Sequence, residues 1–462
     1  MSGPNINPSH TRSLASPNPP SQASRKQAAD SGEISSGQQV KAWVFPMKGL
    51  ISIASVCVAA YAAFAYAQDG LGAADIASSA SSLFKLPPQS VFLPPSSFAV
   101  LPANQTFRTN SFDASQFFNP TGTAPPFFQI FDPGFLAVLG ANPSINEVAG
   151  NATFAFAHEA PIYNPPTDEV FFASNDGGPL GMSDLDHNSL VGKISMKDVE
   201  KRLKGVRVGG AVNTPVTELN LPDTIQMTNG GTGPWRGNLI LITSGRGDRP
   251  PSIALVNPNA PHNVTVLLNN YFGRQFNSLN DIKVHPNGKL FFTDVIYGFL
   301  NHFRPAPLMH SQVYVFDPAT SSVRVVATDF DKPNGIAFSG DGKTAYIADT
   351  GASGGFLGNN QTEPATIYAF NVDPTTDAFT NRRVFAYVDA GVPDGVQVDT
   401  KGNVYSGCGD GVQVWSPTGT LLGKFFLNTT SANMVFAGPG RLVIMAETKI
   451  FVAKISTEGV VL

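Results

Sequence analysis

Residues 280–294 read NDIKVHPNGKLFFTD, residues 334–349 read NGIAFSGDGKTAYIAD, and residues 394–407 read DGVQVDTKGNVYSG. In each, a polar residue opens a short apolar run and a turn glycine follows eight positions later. A second apolar run comes after the turn. The turns Asn287-Gly288, Asp341-Gly342 and Lys401-Gly402 suit two short antiparallel strands. Weaker copies start at Asn229, eight residues before Gly237 and NLILIT, and at Asn433, seven before Gly440 and RLVIMA. Another starts at Glu159, ahead of Thr167-Asp168 and EVFFAS. Six units thus begin near 159, 229, 280, 334, 394 and 433, at separations of 39 to 70 residues. Their mean lies close to the ~40–50 residues of a propeller blade.

Between the units lie further strand candidates: QVYVF (312–316), VRVVA (323–327), TIYAF (366–370) and VQVWS (412–416). Four strands per unit and six units predict an all-β, six-bladed β-propeller over 151–462. A plain sandwich would leave the recurring polar position unexplained. One amphipathic helix is expected, around Ser195–Lys204. The segment 68–150, with FFQIFDPGFLAVLG, reads as an N-terminal extension packing on the propeller.

Composition agrees. Gly (44) and Pro (37) are abundant and charged residues make up only 14%, so turns are frequent and long helices few. The 34 phenylalanines exclude a disordered chain, and a net charge of −4 argues against nucleic acid as partner. Two cysteines, Cys57 and Cys408, exclude a disulfide scaffold and a cysteine-based zinc module.

Residues 1–46 are rich in Ser, Pro, Gln and Asn without apolar period and read as a disordered segment, or as an extension of the gene model ahead of a start at Met47. Residues 47–67 read as a signal peptide. Met47-Lys48 supplies the start and positive charge, Leu50–Phe64 the apolar core, and Ala65-Tyr66-Ala67 the cleavage pattern before Gln68. The alternative is a type II membrane anchor over Leu50–Ala67, at the short limit of a spanning helix. The expected location is extracellular, with no membrane contact in the mature form unless the segment stays as an anchor. Five N-x-[ST] sequons, at Asn104, Asn151, Asn263, Asn360 and Asn428, all lie beyond it. Cys408 is then expected to be a buried structural thiol.

In a propeller the innermost strands surround the axis, so one repeat phase converges there. That phase holds Glu159, Asn229, Asn280, Asn334, Asp394 and Asn433. Two carboxylates and four amides form a sulfur-free oxygen set, suited to Ca²⁺, Mg²⁺ or Mn²⁺ rather than zinc or copper. Taken singly, Pro-Asn-Gly and Pro-Asp-Gly also read as ordinary turns. Gly351-Ala352-Ser353-Gly354-Gly355 matches a nucleophile elbow, but a Gly/Asn loop follows it where the elbow needs a helix. Arg246-Gly247-Asp248 is an uninformative loop triplet. Among the histidines, His158 stands out because it adjoins Glu159 and titrates in the range of a general base.

At these residues the sequence resembles the gluconolactonase/regucalcin (senescence marker protein) family of six-bladed propellers, and most nearly the fungal extracellular lactonohydrolases acting on aldonate and pantoyl lactones. The stretches LLNNYFGRQFNSLND (267–281), KPNGIAFSGDGK (332–343), PDGVQVDTKGNVYSGCGDGVQVW (393–415) and HEAPIYNPPTDEVFF (158–172) carry the resemblance over 125–462. It implies Glu159, Asn334 and Asp394 as divalent-metal ligands, with Asn280 beside them on metal or substrate. Many relatives have Glu-Gly-Pro where this chain has Glu159-Ala160-Pro161. The arginine that some animal members place two residues before Asn280 is Ser278 here.

The implied activity is hydrolysis of a small lactone. The metal, most simply Ca²⁺, would polarise the carbonyl, with Asp394 or else His158 as general base and Tyr297 and Asn229 as pocket wall. Two rival readings stand beside it: a non-enzymatic extracellular binding propeller with a structural ion, and a related propeller hydrolase of phosphotriesterase-like or strictosidine-synthase-like type.

Overall fold

The six repeat phases open the innermost strands of six antiparallel blades: Glu159–Asn164, Thr228–Trp235, Leu279–Val284, Pro333–Phe338, Val396–Val398 and Asn433–Phe436. Asp394 lies two residues before the fifth. The computed structural model describes residues 86–108 and 115–461, all within one unit spanning Ser52–Leu462. The disordered segment, the signal segment and Cys57 lie outside the described residues. Innermost strands contact one another in chain order, and the sixth contacts the first, which closes a six-bladed β-propeller. The predicted outer strands appear as Gln312–Asp317, Ser322–Ala327, Thr366–Val372 and Gly411–Trp415. The predicted helix is Met196–Leu203, capped by Ser195 Oγ, which accepts the N–H of Asp198 at 3.2 Å.

The core consists of the clefts between neighbouring blades, so both faces of a blade are apolar. In the strand Leu290–Asp294, Leu290 and Phe292 pack toward the second blade while Phe291 packs toward the fourth. Alternate side chains point to opposite faces of a strand, and a strand buried on both reads as an unbroken apolar run. Cys408 is a free, buried thiol in the cleft between the fourth and fifth blades.

One expected boundary needs correction. Ser144–Gly150, assigned from sequence to the extension, pairs antiparallel with Lys449–Lys454 as the outer strand of the sixth blade. The reason is hydrogen bonding. The edge strand 449–454 has a row of backbone groups to satisfy, and the chain's own N-terminal side satisfies them. Other described residues before 151 also pack on the propeller. Phe127–Ile130 and Ser90–Phe92 widen the fifth blade beyond Leu421–Phe426, and Phe135, Val138 and Leu139 fill the cleft between the fifth and sixth blades.

The polar-glycine pairs also need a different reading from the turn they resemble. Asn334-Gly335 lies inside a strand, and glycine is required because the next blade's inner strand crosses against it. A Cβ at Gly335 would overlap the carbonyl oxygen of Asp394, and one at Gly395 would overlap the side chain of Asn433. Gly335→Ala is therefore expected to destabilise the propeller by about 1–3 kcal/mol, the cost of overpacking, read as a lowered Tm in thermal unfolding.

Candidate active site

The polar residues are aimed by a repeated irregularity. In four blades the inner strand carries one extra residue against its neighbour. Pairing passes from Glu159↔Ala173 to Ile162↔Phe171, from Thr228↔Thr243 to Gly231↔Leu241, from Leu279↔Asp294 to Ile282↔Phe292, and from Pro333↔Asp349 to Ile336↔Ile347. Such bulges re-aim side chains, here Glu159, Asn229, Asn280 and Asn334. Ala160 follows Glu159 at φ 51, in the left-handed region where glycine would be unstrained. That accounts for the glycine of many relatives at this position.

These residues meet in a cavity of about 500 Å³ at one end of the axis. Its lining includes His158, Glu159, Asn229, Asn280, Asn334 and Asp394, with Tyr297 on the wall. Ligand atoms of His158, Glu159 and Asp394 lie within 4.8 Å of one another. The amide oxygens Oδ1 of Asn229, Asn280 and Asn334 are buried with no hydrogen-bond partner among the described residues. Buried acceptors are seldom left unpaired, so three at one place call for a cation or donor from outside the chain. Asn433 differs from the other five. It is not among the lining residues, and its Nδ2 donates to Glu159 Oε2 at 2.8 Å, which orients that carboxylate from beneath.

Charge is crowded here. Burial, then the neighbouring Asp394, pushes the Glu159 carboxyl well above its usual range. Asp394 is pushed up to about 7, mainly by burial and further by Glu447 and Asp281, against the opposing pull of His158. Burial by itself lowers His158, but the charge and hydrogen bond of Glu447, with Glu159 and Asp394 behind, more than offset it and raise the imidazole to about 10. Tyr297 donates to or accepts from Thr350 Oγ1 at 2.7 Å, and burial raises its phenol.

Sequence reading missed Glu447 and Asp176. Glu447 Oε1 holds His158 Nδ1 at 2.7 Å, and Asn175 Nδ2 donates to Glu447 Oε2 at 3.0 Å. With Nδ1 engaged, Nε2 is the nitrogen left for the cavity. Asp176 accepts both contacts of Asn229 Nδ2 at 3.1 Å and the hydroxyl of Ser244 at 2.9 Å. A signal existed, since the end of the second strand is a second polar phase: Asn175-Asp176, Ser244, Asp294, Asp349 and Glu447. In the third and fourth blades it is structural, with Asp294 and Asp349 each accepting two backbone N–H groups. Ser353 of the false elbow lines the cavity from a loop.

Residues 225–447 match the family model described as SMP-30/gluconolactonase/LRE-like region. That span holds Asn229, Asn280, Asn334, Asp394 and Glu447, and ring closure brings His158 and Glu159 to them. A lactonohydrolase of Aspergillus oryzae is 29% identical over 347 residues, covering 69% of this chain and 71% of its own length. A second lactonohydrolase of that fungus is 28% identical over 366 residues, covering 65% and 74%. Among solved structures, a gluconolactonase from Xanthomonas campestris superposes with a TM-score of 0.55 at 25% identity, covering 72% of this chain and 95% of that one.

The His158–Glu447 pair can be tested by itself. In Glu447→Gln, without added metal, the largest upward influence on His158 is gone and burial pulls the other way. The imidazole titration is expected to fall from about 10, followed by NMR of the ring protons.

Proposed function

We propose that this chain, which is similar to gluconolactonases and lactonohydrolases, is a lactonase that opens small lactones to hydroxy acids with the help of a divalent cation. The observation that carries the proposal is the convergence of His158, Glu159 and Asp394 with three partnerless amide oxygens in one cavity. The carboxylate and amide oxygens of this set fit a divalent ion, most simply Ca²⁺, with Mg²⁺ and Mn²⁺ served by the same chemistry. Glu159, Asn334, Asp394 and Asn280 would hold it. When bound, the ion supplies Lewis-acid polarisation of the lactone carbonyl.

The chain's own residues supply the proton chemistry. Asp394 borders the cavity and can take a proton from the attacking water. His158, held at Nδ1 by Glu447, can deliver the Nε2 proton to the departing ring oxygen. Asp394 and His158 thus divide the roles of base and acid. Asn229, pinned by Asp176, and Tyr297 border the substrate. No covalent enzyme intermediate is needed.

Export fits this reading. The asparagines of all five sequons, Asn104, Asn151, Asn263, Asn360 and Asn428, are exposed, as glycan attachment requires. No helix among the described residues is long and apolar enough to cross a membrane.

The decisive experiment follows acid release from aldonolactones and pantolactone, with and without chelator. Hydrolysis should vanish with chelator and return with Ca²⁺, and Asp394→Asn should lower turnover by about 10²–10⁴-fold in a folded protein. A folded, ion-loaded chain that opens no lactone would favour the binding propeller or another hydrolase. Ion affinity is also expected to weaken as pH falls below about 7. Carboxyls with raised values regain their protons there, and those protons compete with the cation. Titration calorimetry across pH reads this directly.

A further inference from the structure

The cavity wall contains a cation that the lactonase chemistry does not use. Arg108 comes from the N-terminal segment, lines the cavity, and is only 2% exposed. It is the one lysine or arginine among the lining residues. The backbone around it is pinned to loops of the fourth and fifth blades. Phe107 N–H donates to Gln361 Oε1 at 2.9 Å, Gly391 N–H donates to the Phe107 carbonyl at 2.9 Å, and Asn359 Nδ2 donates to the Arg108 carbonyl at 2.5 Å. The guanidinium is fixed as well. Nη1 donates to the carbonyls of Val388 and Gly391 at 2.6 and 2.5 Å, and the group lies 4.4 Å and 4.8 Å from the ring centres of Phe107 and Tyr387.

Its other two donor atoms, Nε and Nη2, are buried with no hydrogen-bond partner among the described residues, and no described carboxylate pairs with the group. A buried charge with free donors is costly, and the aromatic faces offset only part of that cost. The free atoms are not a random pair. With Nη1 engaged, Nε and Nη2 form the edge of a guanidinium that grips a planar carboxylate side-on through two parallel bonds. A neutral hydroxyl or ring oxygen would satisfy that edge less completely.

We propose that Arg108 is a specificity residue that receives a carboxylate on the substrate, so that the lactones preferred by this chain carry an acidic group outside the ring. This rests on the lactonase reading and narrows its substrate class. The N-terminal segment thereby contributes to recognition and does more than pack on the propeller.

The test compares the γ-carboxylate of γ-butyrolactone with the corresponding γ-carboxamide, in the metal-loaded protein and in Arg108→Gln and Arg108→Lys. The readout is the ratio of kcat/KM for the anionic over the neutral lactone, because a merely loosened fold lowers both together. The native protein is expected to favour the carboxylate on the order of 10- to 100-fold, chiefly through KM. The ratio should fall toward unity in Arg108→Gln and to an intermediate value in Arg108→Lys, which keeps the charge but loses the two-donor edge. A ratio unchanged in both variants would overturn the assignment. If the native protein opens no lactone at all, the lactonase reading fails, and calorimetry with cyclopentanecarboxylate and cyclopentanecarboxamide decides the role of Arg108. Binding that prefers the carboxylate and depends on Arg108 upholds it, and binding indifferent to the substitution overturns it.

Discussion

Ring closure is the constraint on which the rest depends. Ser144–Gly150 pairs with Lys449–Lys454, and Lys449 adds an ion pair to Glu147 at 2.9 Å. Directly beside this seam Ala157 N–H donates to the Glu447 carbonyl, which sets His158 against the Glu447 side chain. The same seam places Asn433 under Glu159, although 274 residues separate them in the chain. A propeller opened here would keep most of its blades but separate His158 and Glu159 from Glu447 and Asn433.

The inner strands approach closely around the axis, and that tolerates only certain residues. Glycine at 335 and 395 lets one strand cross against the next, while bulges in four blades turn the polar side chains inward. These features concentrate carboxylates and amides where little water reaches them. Burial then raises Asp394 and Glu159, and their charge in turn helps raise His158. Like charges so confined cost free energy, and a dication is the simplest agent that lowers it. Stability is sacrificed at the axis, and the apolar clefts between blades compensate.

Much of this was legible in the sequence. The eight-residue spacing from polar residue to turn glycine located the strands of the third, fourth and fifth blades, and the shared phase nominated five of the residues that line the cavity. Asn433 was nominated on equal terms, yet it turns under Glu159, because phase places a residue near the axis without saying whether it reaches the cavity. Glu447 and Asp176 escaped notice because their signal, polarity at a second-strand end, is shared with Asp294 and Asp349, which serve only the backbone. Ser144–Gly150 escaped because a strand that closes a ring pairs with the far end of the chain, and nothing in its neighbourhood announces that partner.

The sequence by itself therefore determined the repeat, the all-β architecture and the chemical character of the axial residues, since periodicity and donor type are local properties. Only the tertiary structure decided which of those residues share one cavity, that Glu447 orients His158, and that Arg108 from outside the propeller enters the wall with two donors free. The physical reason is the same in each case. Hydrogen bonds and charge interactions act over a few ångströms of space, and these groups come from parts of the chain whose separation in sequence carries no record of their contact.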